Sequence, residues 1–96
     1  MELEWDEEKW QRNLQERGLD FADVARFEFA TAITEQDLRR DYGEMRFNSW
    51  GYLDGVFCSL CWTVRNDIFR VISLRKCNDR ERKKYQSATT DPAGRR

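Results

Sequence analysis

The 96-residue sequence contains no histidine, one proline and five glycines. Without histidine, the chain has no Ser-His or Cys-His nucleophile pair and lacks the usual general base at neutral pH. It also has neither a P-loop nor the glycine fingerprint of dinucleotide-binding proteins. No apolar run is long enough to cross a membrane and no signal-peptide pattern is present, so we expect a cytoplasmic protein.

Cysteine is scarce as well, with three residues at positions 58, 61 and 77. An odd number without a secretory signal does not make a disulfide framework. Cys58 and Cys61 have C-x-x-C spacing, but a second ligand pair is missing. Residues three apart on a strand also point to opposite faces. We therefore predict structural thiols, and we expect neither a metal nor another cofactor.

Hydrophobic residues make up 40% of the chain and aromatic residues 14%, which is enough to form the core of one domain. The formal net charge of −1 conceals an asymmetry between the two halves. Residues 1–44 hold 13 Asp or Glu and 6 Lys or Arg, a balance of −7, whereas residues 45–96 hold 5 and 11, a balance of +6. The basic half permits a local anion-binding surface.

Hydrophobic periodicity and capping signals predict the elements of the N-terminal half. Residues 3–5 read as a short strand, and a helix is predicted from its N-cap Asp6 to its terminator Gly18. Asp20 is the predicted N-cap of a second helix, whose core face consists of Phe21, Val24, Ala25 and, at its end, Phe27 and Phe29. A short strand through Ile33 is predicted next, followed by a polar loop.

From residue 45 the periodicity changes to that of strands separated by short turns, as in an antiparallel meander. Asn78 and Glu81 then form a capping-box pattern at the start of a last helix. We therefore predict an α+β domain with two N-terminal helices, an antiparallel meander of three or four strands and a C-terminal helix. The domain is expected over residues 1–86, with a disordered tail at 87–96.

The best candidates for chemistry are arginines on predicted strands. Arg46 lies on the first strand of the meander, and Arg70 and Arg75 lie on the last. Strict alternation would place Arg70 with Leu74 on one face and Arg75 with Ser73 on the other. A guanidinium held by a sheet can bind a phosphate through two hydrogen bonds and stabilise charge during its reaction. Composition alone favours the alternative, in which these arginines pair with nearby carboxylates.

The C-terminal helix has a simpler interpretation. Residues 75–84 hold six Lys or Arg and two Asp or Glu, and such runs are usually solvated faces. Glu81 is explained as a cap residue and Tyr85 as an anchor on the sheet. Aromatic side chains among basic ones also suit RNA, whose bases stack on rings.

Several motifs together resemble the BrnT toxins of bacterial type II toxin–antitoxin pairs. They are "EWDEEK" with Asn13, "GLDF" from Gly18, "YGEMRF", and "RVISLRK" followed by "RERKKY". The resemblance runs from Leu3 to Tyr85, and its most specific part is R-[IV]-I-S-x-R-K followed by E-R-x-x-Y.

The resemblance implies a RelE-like small ribonuclease fold, cleavage of RNA and inhibition of translation. It also implies neutralisation by a BrnA-type antitoxin with a ribbon-helix-helix domain, as a heterotetramer. Operator DNA would be bound only through that antitoxin. The family's motif positions fall on Lys9, Asn13, Gly18, Arg46, Arg70, Ser73, Arg75, Lys76, Glu81, Arg82 and Tyr85.

From these residues we expect a metal-independent ribonuclease. The candidate catalytic residues are Arg46, Arg70, Arg75 and Lys9, and the candidate RNA- or phosphate-binding residues are Lys76, Ser73, Asn13, Arg17, Arg82 and Tyr85. Arg17 occupies the position where the family has histidine, and arginine cannot act as a base at neutral pH. Two alternatives therefore remain: a toxin-fold binding module that holds an antitoxin and helps to regulate its operon, and an RNA-binding regulator.

Overall fold

A computed structural model describes residues 2–88 of the chain. Two α-helices are present, α1 (Glu7–Arg17) and α2 (Asp79–Tyr85), with 3₁₀ helices at Phe21–Arg26, Phe29–Thr31 and Gln86–Ala88. The strands are β1 (Leu3–Trp5), β2 (Ile33–Gln36), β3 (Phe47–Leu53), β4 (Val56–Arg65) and β5 (Ile68–Lys76). From residue 89 onward, the predicted tail lies outside the described residues.

The five strands form one mixed sheet in the order β1-β5-β4-β3-β2. β3, β4 and β5 are consecutive antiparallel neighbours. The predicted meander of three or four strands is nevertheless wrong, because the sheet continues on both sides. β1 pairs in parallel with β5, and β2 adds an antiparallel edge beside β3. Both additions satisfy backbone groups that would otherwise lie open at the edges of the meander.

Helix α1 begins and ends where the capping residues indicate. The Asp6 carboxylate accepts a hydrogen bond from the Lys9 backbone N–H, and Gly18 has a left-handed backbone with φ of 68°. Only glycine adopts that conformation without a steric penalty, so it terminates the helix. The predicted bounds of this helix are confirmed.

The predicted second N-terminal helix is wrong. Asp20 does cap a helical segment, but the segment is a 3₁₀ helix that ends at Arg26, and Phe27 is extended. Phe27 and Phe29 pack against each other, and Phe29 also contacts Trp62 and Phe69 of the sheet. Residues two apart point about 200° away from each other on an α-helix, so a helix could not direct both rings to the sheet.

The main hydrophobic core lies between one face of the sheet and the segment that follows α1. Its buried members include Phe21, Val24, Leu60, Val71 and Leu74. The other face, here called the open face, is covered at one end by α2. There Trp50, Phe57 and Cys77 form a second cluster, with Tyr85 packed on it. The rest of the open face carries the polar side chains described below.

A β-bulge on β5 changes which side chains share a face. Cys61 is paired with Ser73 and Trp62 with Val71, so Ile72 has no partner on β4. Val71 and Leu74 are consequently both in the main core, with 1% and 0% of their surface exposed. Such an extra residue reverses the alternation beyond it. The prediction that Arg70 and Arg75 lie on opposite faces is therefore wrong: both belong to the open face.

Candidate nucleic-acid interface

A groove of about 520 Å³ occupies the open face of the sheet. Its floor is formed by Asn48, Ser59, Cys61, Ser73 and Arg75 from the three central strands. One wall is the segment between β2 and β3, residues 37–46, here called the arginine loop. The opposite wall is α2, through Glu81 and Tyr85. We call this space the main groove.

The arginine loop is organised around one buried carboxylate. The Asp37 side chain is 1% exposed and accepts hydrogen bonds from Nε and Nη2 of Arg39, at 2.9 and 2.7 Å. It also accepts from the Arg39 backbone N–H and the Tyr42 hydroxyl, at 3.1 and 3.0 Å. The hydrogen bonds from the Arg39 side chain hold the pKa of Asp37 well below its usual range. Asp37 is thus charged at neutral pH and sets the positions of Arg39 and Tyr42.

Arg46 closes the arginine loop and is fixed from two sides. Its guanidinium lies 4.3 Å from the centroid of the Tyr42 ring, and its Nε donates to Glu44 at 3.1 Å. Glu44 also accepts two hydrogen bonds from Arg65. The hydrogen bonds from Arg65 and, to a smaller extent, from Arg46 lower the pKa of Glu44 to about 2. Arg46 therefore reaches the groove as an oriented cation, with a cation–π contact that restricts its motion.

Arg75 stands on the floor of the main groove and forms a forked ion pair with Glu81. Its Nη1 and Nη2 donate to the two carboxylate oxygens at 2.5 and 2.8 Å. This arginine is the main reason why the pKa of Glu81 falls to about 2. Beside the pair, the rings of Trp50 and Tyr85 stack with centroids 3.9 Å apart and planes 6° from parallel. The ion pair and the stack together hold α2 on the sheet.

A second, smaller groove of about 210 Å³ runs beside α1. It is lined by Lys9, Arg12, Asn13, Glu16, Arg17, Phe21, Ile72 and Ser73. Ile72 and Ser73 also line the main groove, so the two spaces meet at the bulge of β5. Cations from α1 and from the arginine loop consequently border one continuous surface.

Asn13 has a structural position within this second groove. Its side-chain amide donates to the Leu19 carbonyl at 3.0 Å, and its oxygen accepts from the Leu74 backbone N–H at 3.4 Å and from Arg17 at 3.2 Å. β1 ends before it reaches Leu74, so Asn13 satisfies a group at the uncovered edge of β5.

The structure brings most of the predicted site residues together in two groups. Arg46, Ser73, Arg75 and Tyr85 line the main groove, and Lys9, Asn13, Arg17 and Ser73 line the second. Three predicted residues line neither groove. Arg70 pairs with Glu4 at 3.5 Å, Arg82 pairs with Asp79, and Lys76 is exposed at the end of β5.

Sequence reasoning missed the contribution of Arg39, Arg40 and Tyr42, all of which line the main groove. The sequence predicts only a polar loop at Arg39 and Arg40, and Tyr42 enters only as the start of the family motif YGEMRF. The sequence "RRDYG" does carry a usable signal, because it sets two arginines beside an aromatic residue. Only the hydrogen bonds to Asp37 turn that cluster into one wall of a groove.

The cysteines lie where the strand geometry predicts. Cys58 belongs to the main core, whereas Cys61 is on the groove floor, so the two sulfurs point to opposite faces. Burial raises the pKa of Cys58 to about 11 and also raises that of Cys61, so both thiols are protonated at neutral pH. Across residues 2–88 no three His, Cys, Asp or Glu side chains are grouped as metal ligands.

A groove lined by several arginines and bordered by aromatic rings is typical of proteins that bind a polyanionic chain such as single-stranded nucleic acid. Comparison with known families gives a match over residues 5–81 to the family described as "Ribonuclease toxin, BrnT, of type II toxin-antitoxin system". The match covers most of the sequence, and the chain belongs to the BrnT family. A search of curated proteins found no match.

Membership confirms the resemblance drawn from the sequence motifs and identifies the protein as a member of a type II toxin family. A toxin of this type has an antitoxin partner. No helix among residues 2–88 is long and apolar enough to cross a membrane.

Proposed function

We propose that the chain is an endoribonuclease that binds single-stranded RNA in the main groove, cleaves it without a metal ion and thereby inhibits translation. The observation that carries this proposal is the convergence of Arg39, Arg40, Arg46 and Arg75 around one groove. Four guanidinium groups supply the positive charge that a reacting phosphodiester requires. The family's ribonuclease activity supports the same conclusion.

The proposed reaction is an internal transesterification. The 2′-oxygen of a ribose attacks the adjacent phosphorus and loses its proton, the bond from phosphorus to the 5′-oxygen breaks, and that oxygen takes up a proton from water. The products are a 2′,3′-cyclic phosphate and a free 5′-hydroxyl. Arg75 and Arg46 stabilise the extra negative charge that develops on the phosphate oxygens.

The surrounding residues position the RNA. Ser73 donates a hydrogen bond to a phosphate at the junction of the two grooves, and the next phosphate lies by Lys9 and Arg17. The ring edge of Tyr85 borders a nucleobase. Outside the grooves, Arg70, Lys76 and Arg82 attract the flanking backbone by charge rather than by taking part in the reaction.

The partner that we propose is a BrnA-type antitoxin with a ribbon-helix-helix domain, assembled with the toxin as a heterotetramer that represses its own promoter. Operator DNA is contacted by the antitoxin alone. Co-expression with a BrnA-type ribbon-helix-helix protein, followed by size measurement in solution, tests the partner and the stoichiometry.

Cleavage is tested with the purified protein and a fluorescent single-stranded RNA under single-turnover conditions, in the presence of EDTA. Arg46→Ala and Arg75→Ala should each lower the cleavage rate about 100-fold or more, as expected for loss of one charged contact to the transition state. Arg80→Ala removes the same charge from an exposed position on α2 and serves as the matched control. If folded Arg46→Ala and Arg75→Ala proteins cleave as fast as the parent, the proposed catalytic surface is wrong.

A non-catalytic binding module is the second candidate, and one observation favours it. Arg46 and Arg75 already have carboxylate partners in the protein, and the chain has no histidine to transfer a proton. In this case the purified protein leaves RNA intact in a translation extract but binds the ribbon-helix-helix partner tightly. An RNA-binding regulator would instead show salt-dependent RNA affinity without cleavage.

A further inference from the structure

Glu81 is paired with Arg75 on the floor of the main groove, and every acceptor position of its side chain is occupied. Oε1 accepts from Arg75 and from the Asn78 backbone N–H at 2.5 and 3.1 Å. Oε2 accepts from Arg75 and from the Trp50 indole N–H at 2.8 and 3.4 Å. A carboxylate has about four lone-pair sites, so in this state Glu81 has none left for a substrate.

Two of those four hydrogen bonds are replaceable. The forked geometry by which Arg75 holds a carboxylate is also the geometry by which a guanidinium holds two phosphate oxygens. The Glu81 carboxylate thus occupies the place of a phosphate on the groove floor. A phosphodiester that binds Arg75 would leave two lone pairs of Glu81 vacant beside the phosphate.

The hydrogen bonds from Asn78 and Trp50 keep Glu81 at the site when a phosphate binds Arg75. Glu81 is the third residue of α2 and makes a capping box with Asn78. Its Oε1 therefore remains attached to the helix start, while Trp50 holds Oε2 from the sheet. The side chain is 17% exposed and cannot swing into solvent without breaking the cap.

We infer that Glu81 is the general base of the RNA cleavage reaction, set free when the substrate phosphate displaces it from Arg75. This inference rests on the proposed ribonuclease function and supplies the proton acceptor that the chain lacks through the absence of histidine. Glu81 takes the proton from the 2′-hydroxyl as the 2′-oxygen bonds to phosphorus. The 5′-oxygen leaves with a proton from water, and Glu81 then releases its proton to solvent.

The electrostatic surroundings of Glu81 agree with this exchange. Arg75 on β5 is the largest cause of its low pKa, and the Asn78 N–H and Trp50 contribute in the same direction. Burial acts the other way and raises the pKa. Cys77 is the nearby titratable group on the strand side of α2, and Arg39 acts on Arg75 from the arginine loop. When a phosphate binds Arg75, Glu81 loses the hydrogen bonds that lower its pKa most, whereas the effect of burial remains. The pKa of Glu81 then rises and the carboxylate becomes a stronger base.

Glu81→Gln tests the inference, because glutamine also fits the third position of a capping box, where its Oε1 can accept from the Asn78 backbone N–H. Its amide nitrogen is a donor, so the hydrogen bond from the Trp50 indole N–H is lost. Glutamine cannot accept the proton. We expect single-turnover cleavage to fall by about 100-fold or more, the lower end for loss of a general base. RNA affinity should not fall, because glutamine no longer competes as an anion with the phosphate for Arg75. Asp67→Asn removes the same charge from the exposed turn between β4 and β5, outside both grooves, and should leave the rate within about 3-fold of the parent.

A pH profile separates proton transfer from a structural role. The parent rate should decline on the acidic side with one titrating group, and Glu81→Gln should lack that limb. As a measurement that does not depend on the variant, the Glu81 carboxylate can be titrated by NMR with and without an uncleavable 2′-O-methyl RNA. Its pKa should rise by about one unit or more in the complex.

The outcomes distinguish this inference from the function on which it rests. If Arg75→Ala loses activity but Glu81→Gln cleaves at the parent rate with the parent pH profile, Glu81 is not the base and the ribonuclease proposal stands. An unchanged pKa of Glu81 in the RNA complex also overturns the exchange. If the parent protein cleaves no RNA, the proposed function fails and the inference fails with it.

Discussion

Replacement of Asp37 by alanine is expected to weaken RNA binding, although it removes a negative charge from an RNA-binding groove. Asp37 is the buried first residue of the arginine loop and holds Arg39 and Tyr42 through four hydrogen bonds. Tyr42 in turn supports the guanidinium of Arg46. Without the carboxylate, these side chains lose their fixed positions before RNA arrives.

The expected magnitude follows from the cost of ordering those side chains again. Immobilising a flexible side chain on binding costs about 0.5–1.5 kcal/mol, so Arg39 and Tyr42 together cost about 1–3 kcal/mol. RNA affinity should therefore fall roughly 5-fold to 150-fold, since 1.4 kcal/mol is a factor of about ten. The free energy of unfolding should fall by only about 2 kcal/mol, because Arg39 is 77% exposed and its ion pair is screened by solvent.

Asp41→Ala is the matched control, because Asp41 lies in the same loop, is exposed and carries the same charge. Affinity is measured by fluorescence anisotropy with a labelled single-stranded RNA at two salt concentrations, and folding by circular dichroism. If charge alone governed binding, both variants would bind RNA more tightly than the parent. The positioning argument is refuted if folded Asp37→Ala binds as tightly as Asp41→Ala.

Three further predictions concern stability. Asn13→Ala should lower the free energy of unfolding by about 1–3 kcal/mol in a urea titration, because it removes the side-chain partner of the Leu19 carbonyl and of the Leu74 N–H on β5. A change below about 0.5 kcal/mol would contradict the role assigned to its amide. Gly51→Ala should lower the free energy of unfolding by about 1–3 kcal/mol, since its new Cβ would lie 2.8 Å from the Cβ of Ala32. Adding Ala32→Gly should restore part of that stability. The low pKa of Glu81 stabilises the fold above its ordinary value of 4.5, and that contribution disappears as the pH falls through about 2. Between about pH 5 and pH 2, the free energy of unfolding of the parent should therefore fall by about 1 kcal/mol more than that of Glu81→Gln. Equal decreases in the two proteins would contradict this assignment.

Local signals in the sequence predicted the parts of the fold that depend on neighbouring residues. Asp6 and Gly18 gave the bounds of α1, and the capping box of Asn78 and Glu81 gave the start of α2. These signals are reliable because the hydrogen bonds that they describe join residues within one turn of helix. Arg46, Ser73 and Arg75 were placed in one candidate site by the family motifs and do line one groove.

The features that the sequence did not predict depend on distant contacts. The parallel pairing of β1 with β5 joins Leu3 to Phe69, and nothing near either residue signals the other. The predicted second helix is replaced by a 3₁₀ helix that ends at Arg26, because Phe27 and Phe29 both pack toward the sheet. In each case tertiary packing outweighed a local preference.

The amino-acid sequence by itself determined the family, the capped helices, the strand-rich second half and the absence of histidine from the chemistry. Tertiary structure alone decided which cations meet. The extra residue at Ile72 turned Arg70 and Arg75 to the same face, and the buried carboxylate of Asp37 gathered the arginine loop into a wall. A bulge and a buried hydrogen-bond network depend on how strands pair and stack in space, and for that reason the groove appears only in the folded chain.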